Sequence, residues 1–235
     1  MRKSRLVVLL MTGFLLTAFL WYLKSSLWLE RLMAYGFSAP QGKNWQNETE
    51  KFRLLYPAGN MQLIFLGDSH MEQCEWQEVL PEYRCANRGI GGETTAGLLQ
   101  RLLTLPEKGN GRVVILQSGI NDLFAGESPE EIIKNYGLIC DSLRGRGFRL
   151  MLTLVFPVRY LKEVNEQVPV LNKGIRTLAE ERKLPVIFIN PRISEGEKLS
   201  SAFTADGVHL NARGYALWLE EIRKKLPPAS DAGFR

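Results

Sequence analysis

Gln62-Leu63-Ile64-Phe65-Leu66-Gly67-Asp68-Ser69-His70 is the stretch from which the fold of this chain can be read. A short apolar run closed by a glycine predicts a buried strand. The polar turn behind it predicts a helix over His70–Leu80, with a serine near its start. The segments downstream repeat that alternation. Tyr83–Asn87 is a short strand, and Thr94–Leu105 carries Leu98, Leu99, Leu102 and Leu103 at helical spacing. Arg112–Gln117 is a β-branched strand. Ser128-Pro129-Glu130-Glu131 is a helix start, with serine as N-cap, proline in the first helical position and glutamate at the third. That helix should run to about Leu143. Arg149–Phe156 is a strand stopped by Pro157, Val170–Lys183 a helix, Pro185–Ile189 a strand, and Asn211 caps a last helix through about Lys225.

Strands alternating with helices imply α/β architecture, with a five-stranded parallel sheet covered on both faces. The right-handed crossover rule favours a doubly wound, flavodoxin-like three-layer sandwich. This domain should occupy residues 59–226, with 227–235 a flexible tail.

Upstream the composition changes. Leu6–Leu23 holds no charged residue, with Arg2, Lys3 and Arg5 before it and Lys24 after it. A helix over this run would span roughly 27 Å, close to the ~30 Å of a bilayer core. Trp21 and Tyr22 stand where interfacial aromatics are usual, and the leading positive charge places the N-terminus inside. The length of the run and the lack of a small-residue cleavage site favour an uncleaved transmembrane anchor over residues 1–24. The body would then lie on the non-cytoplasmic side, or be secreted if the segment is cut. Residues 25–58 read as a stalk, with Ser25–Tyr35 a short amphipathic helix and Asn47-Glu48-Thr49 a chance glycosylation match.

Net charge is +5, and most of the excess sits in Arg2, Lys3 and Arg5 and in Arg223, Lys224 and Lys225. Two local patches do not make a nucleic-acid surface. Three cysteines and two histidines, without CxxC or HExxH, do not suggest a metal site. An oxidising compartment would permit a Cys74–Cys85 bridge; the alternative is that these are buried thiols. The sequence sets no oligomeric state.

In open α/β sheets, sites form beyond the carboxyl ends of the strands. Four polar loops fall there: Gly67-Asp68-Ser69, Gly89-Ile90-Gly91-Gly92, Gly119-Ile120-Asn121-Asp122 and Asp206-Gly207-Val208-His209. A serine hydroxyl needs a base before it can attack. His70 adjoins Ser69 and should point away from it, which leaves His209 as base, with Asp206 one turn earlier to orient the imidazole. The Ser69 and Gly92 N–H groups and the Asn121 amide are candidate oxyanion donors. Singly, each loop could equally be a plain turn or cap.

These loops resemble the GDSL/SGNH hydrolase family, named for Ser, Gly, Asn and His in four blocks. Gly67-Asp68-Ser69 matches the first block and Asn87–Thr94 the second, whose last glycine falls on Gly92. Gly119–Asp122 and Asp206–His209 match the blocks that carry asparagine and histidine. The similarity covers roughly residues 60–226 and is greatest to the branch with platelet-activating-factor acetylhydrolase subunits, lysophospholipases and acetylesterases. It implies a flavodoxin-like sheet and esterase, lipase or deacetylase activity without metal or cofactor. His70 departs from the leucine of the family name, and Glu93 from the commoner aspartate.

The expected protein is therefore a membrane-anchored serine esterase removing a short acyl group from a lipid or envelope-carbohydrate ester. An O-acyltransferase using the same residues and a non-catalytic binding protein of the same fold are the alternatives. Arg159, Tyr160 and Phe203, in the longer loops near the site, are candidate pocket residues.

Overall fold

The structure is a computed structural model that describes residues 43–56 and 60–231. The anchor expected over residues 1–24 and the helix expected over 25–35 lie outside the described residues. Among those described, no helix is long and apolar enough to cross a membrane.

The described residues begin with helix α1 (Lys43–Leu54), then β1 (Leu63–Gly67), the short helices α2 (Ser69–Glu72) and α3 (Trp76–Val79), and β2 (Cys85–Gly89). Helix α4 (Thr95–Gln100) runs into a 3-10 turn at Arg101–Thr104, followed by β3 (Val113–Gln117). Next come α5 (Ile120–Ala125), α6 (Pro129–Gly145), β4 (Arg149–Thr153), α7 (Lys162–Arg182) and β5 (Val186–Ile187). Helix α8 (Asn190–Ile193), a hairpin of β6 (Ser194–Glu195) and β7 (Lys198–Leu199), and helix α9 (Ala212–Lys225) follow. The main sheet has order β2-β1-β3-β4-β5 and every pairing in it is parallel, as expected of a flavodoxin-like sheet.

Strands β1 and β3 are buried along their whole length, and their alternation feeds two cores. Leu63, Phe65, Val113 and Ile115 pack with Trp76, Trp218 and Ile222, on the side of α3 and α9. Ile64, Leu66, Val114 and Leu116 pack with Leu98, Tyr136, Ile139, Leu171 and Ile175, on the side of α4, α6 and α7. A strand with apolar residues at every position is what such double cover requires. The edge strand β2 is closed by side chains: Gln77 Oε1 accepts from Cys85 N and Asn87 Oδ1 from Gly89 N, both at 2.9 Å.

Several expectations need correction. The helix expected over His70–Leu80 is two short helices, interrupted at Gln73–Glu75. Helix α7 starts eight residues before Val170 and runs through Pro169. Its early turns are held by two asparagines on one face. Asn165 exchanges hydrogen bonds with Val158 N (2.8 Å) and O (2.6 Å), and Asn172 with Val155 N and O, both 2.8 Å. Each amide extends the β4 chain as a strand neighbour would. The segment read as a stalk contains α1, whose Phe52 is buried. The segment read as a flexible tail is pinned through residue 231: Gln62 Nε2 donates to Ala229 O and Tyr83 Oη to Pro227 O, both at 2.7 Å. Cys74, Cys85 and Cys140 are free thiols, and burial pushes them up to about 11, 12 and 12.

Candidate active site

The Ser69 turn is built by a glycine and a cap. Gly67 has φ +152°, and a Cβ there would fall 1.8 Å from the Gln117 carbonyl oxygen, so no other residue fits between β1 and β3. Asp68 then caps α2, its Oδ1 accepting from His70 N at 3.0 Å. Ser69 thus sits at the carboxyl end of a central strand.

Its hydroxyl meets the last of the four loops. His209 Nε2 lies 2.9 Å from Ser69 Oγ, and His209 Nδ1 lies 2.6 Å from Asp206 Oδ2. A carboxylate only accepts, so Nδ1 carries the proton and Nε2 faces the serine as acceptor. Asp206 Oδ1 accepts from the N–H groups of Val208 (2.9 Å) and His209 (2.8 Å). Burial works to raise the Asp206 carboxyl, but the bond from the His209 ring, these two N–H groups and the nearby imidazole outweigh it. The result is a value of about 2.

The ring of His70 is directed at the base loop and at Asp68. This buried ring lies 5.4 Å from that of His209, with Nε2 3.3 Å from the Val208 carbonyl and Nδ1 3.4 Å from Asp68 Oδ1. The nucleophile turn and the base loop are therefore braced against each other by a second imidazole.

Gly92, with φ +76°, directly precedes Glu93, and Asn121 Nδ2 donates to the Glu93 carbonyl at 3.0 Å. The two candidate donor loops are joined at that bond. A second tie lies beside it: Asp122 accepts from Thr95 N at 3.0 Å and from Thr95 Oγ1 at 2.5 Å. Burial pushes the Asp122 carboxyl up to about 6, against the pull of those bonds. Below the corner, Glu93 and Arg101 form a fully buried ion pair at 2.5 Å. Arg101 also donates to the Arg88 carbonyl at 2.8 Å. Tyr136 braces the turn after β3, its hydroxyl accepting from Ser118 N and donating to Ser118 O.

The loop residues divide. Tyr160 is exposed and stands against Gly207, whose Cβ, if it had one, would lie 2.4 Å from the ring. Arg159 is turned toward the hairpin, donating to Leu199 O at 3.3 Å and lying 3.9 Å from Glu195. Phe203 is half-buried and packs against the core cluster that holds Trp218 of α9. Sequence reasoning missed Glu93, Arg101, Thr95, Asp122 and Trp45 as parts of the site's frame. The one visible signal was an arginine inside the leucine run of residues 98–105. Among the described residues, no group of three or more His, Cys, Asp or Glu could hold a metal ion.

Residues 65–217 match the model of the GDSL-like lipase/acylhydrolase family. The chain belongs to that family. Over 168 residues it is 26% identical to an N-acylneuraminate cytidylyltransferase of Streptococcus agalactiae, covering 68% of this chain and 39% of that protein. It therefore spans about two fifths of the length of this curated relative. It is 26% identical over 149 residues to the esterase TesA of Pseudomonas aeruginosa, covering 63% of this chain and 71% of that one. A GDSL-like lipase of Bacteroides thetaiotaomicron shares the fold, with TM-score 0.64 at 21% identity over 77% of this chain and 96% of that one. All four GDSL-type loops fall within the matched span, whereas α1 precedes it.

Proposed function

We propose that this GDSL-family protein is a membrane-anchored serine esterase that removes a short acyl group from a lipid or carbohydrate ester on the non-cytoplasmic side. The observation that carries the proposal is the hydrogen-bonded chain Asp206–His209–Ser69 at the carboxyl end of β1. Ser69 Oγ attacks the ester carbonyl as its proton passes to His209 Nε2. The carbonyl oxygen becomes an oxyanion, met by the Ser69 and Gly92 N–H groups and by an N–H of Asn121. Collapse expels the alkoxide, which takes the proton back from Nε2 and leaves acyl-Ser69. Water then attacks that ester with His209 again as base, and collapse frees the carboxylic acid and restores the serine.

Asp206 holds the imidazole in the required tautomer throughout and stabilises the imidazolium. A preorganised oxyanion donor contributes roughly 3–4 kcal/mol to lowering the barrier. Similarity to an esterase supports an ester as substrate. The apolar run of residues 6–23 supports the anchor and its side of the membrane.

The test uses the full chain with p-nitrophenyl acetate and a serine-reactive fluorophosphonate. The wild type should turn over and be labelled, and Ser69→Ala should do neither. Absence of wild-type turnover and labelling, or undiminished rates in Ser69→Ala, would defeat the proposal. Nitrophenyl esters of increasing chain length then read the acyl preference.

A further inference from the structure

Glu93 is held from three directions. Arg101 grips its carboxylate through Nε and Nη2. Asn121 Nδ2 donates to its main-chain carbonyl at 3.0 Å. The third bond comes from outside the family domain: Trp45 Nε1, on α1, donates to Glu93 Oε1 at 2.7 Å across 48 residues of chain.

The rest of α1 rests on the same struts. The Phe52 ring lies 4.9 Å from the Arg88 guanidinium and 5.6 Å from that of Arg101. Arg88 in turn donates to the Tyr56 carbonyl, just past the end of α1. Arg101 reaches the carbonyls of Gly67 and Arg88, at the ends of β1 and β2. Burial pushes the Glu93 carboxyl up, and both Arg101 and the Trp45 indole oppose it. Bonds to a charged group inside a low-dielectric site are the stiff ones. A continuous path therefore runs from the Trp45 indole through Glu93 to the Asn121 amide, and Gly92 adjoins it in sequence.

We propose that Trp45 is a positioning residue: helix α1, which precedes the family domain, sets the oxyanion donors Gly92 and Asn121 through the Trp45–Glu93 hydrogen bond. This inference rests on the esterase reading for its catalytic meaning. Its consequence is that α1, although it precedes the family domain, belongs to the frame of the active site. A load or a ligand that lifts α1 would lower turnover without touching Ser69, His209 or Asp206.

Trp45→Phe in the full chain keeps an aromatic ring on α1 and removes the indole N–H. We expect kcat on p-nitrophenyl acetate to fall about tenfold with KM held within about twofold, the scale of one lost hydrogen bond to a charged group. The rate of Ser69 labelling by fluorophosphonate should fall in parallel. The Asn121 side-chain amide resonance should shift, while the melting temperature moves little because Trp45 is only half-buried. A kcat within twofold of wild type, together with an unmoved Asn121 resonance, would overturn the inference. If the wild type itself shows no turnover, the esterase reading fails on its own. The Asn121 resonance still decides the coupling in that case: a shift in Trp45→Phe supports it and no shift overturns it.

Discussion

The loop Thr204–His209 carries the candidate base and the corner of Gly92, Glu93 and Asn121 the candidate oxyanion donors, and the two are held by different means. In the loop, the Asp206 carboxylate meets N–H groups two and three residues away, and its side chain is 43% exposed. In the corner, the bonds join residues 8, 27, 28 and 48 positions apart, and the Glu93–Arg101 pair is fully buried. A loop tied to itself can be altered without disturbing the core. A corner that draws on α1, the 3-10 turn and α5 cannot. Changes in the loop should therefore cost activity with little stability, and loss of the buried Glu93–Arg101 pair in the corner should cost stability first.

The largest expected effect comes from His209→Gln. The ring is the only base within reach of Ser69 Oγ among the described side chains, so kcat should fall at least about a thousandfold. The urea midpoint should hardly move. A large loss of stability in this variant would break the contrast from the loop side.

Arg101→Met is the corresponding blow to the corner. It leaves the Glu93 carboxylate buried without its cation, and removing one partner of such a pair typically costs about 3–5 kcal/mol. Equilibrium unfolding in urea should show that loss, whereas Asp206→Asn should lie within about 1 kcal/mol of wild type, as exposed pairs do. Similar losses for the two variants would remove the distinction.

That contrast also explains what could be read from the sequence. The alternation of the five sheet strands with the longer helices was legible because those elements carry their own signals: apolar strands, a Ser-Pro-Glu-Glu helix start, Asn211 as a cap. Ser69, Asp206 and His209 were legible because the chemistry needs a base and only two histidines exist, with Asp206 and His209 in one short motif. The interruption at Gln73–Glu75 was not, since no glycine or proline marks it. The expected helix started at Val170, whereas α7 runs through Pro169, because Asn165 and Asn172 stabilise the turns around it through contacts made in space. The frame of the corner was hidden for the same reason. Nothing near Trp45 in sequence indicates that its indole meets Glu93.

The smallest expected effect, and the one that separates the two regions by sign, is the pH dependence of stability. The folded Asp206 carboxyl, at about 2, lies below the ~3.9 of an unfolded aspartate. Between those values the unfolded chain binds the extra proton, so the Asp206 contribution is complete above about pH 4 and fades as pH falls toward 2. Asp122 does the reverse. Burial raises its folded carboxyl to about 6, so between about pH 4 and 6 the folded chain holds the proton and stability declines as pH rises. Urea midpoints of wild type, Asp206→Asn and Asp122→Asn from pH 2 to 7 test both signs. The wild-type advantage over Asp206→Asn should shrink on acidification below pH 4, modestly, because solvent screens the half-exposed carboxylate. The wild-type decline between pH 4 and 6 should be shallower in Asp122→Asn. The same slope in both variants would mean that the exposed loop and the buried corner share one electrostatic environment, which their geometry forbids.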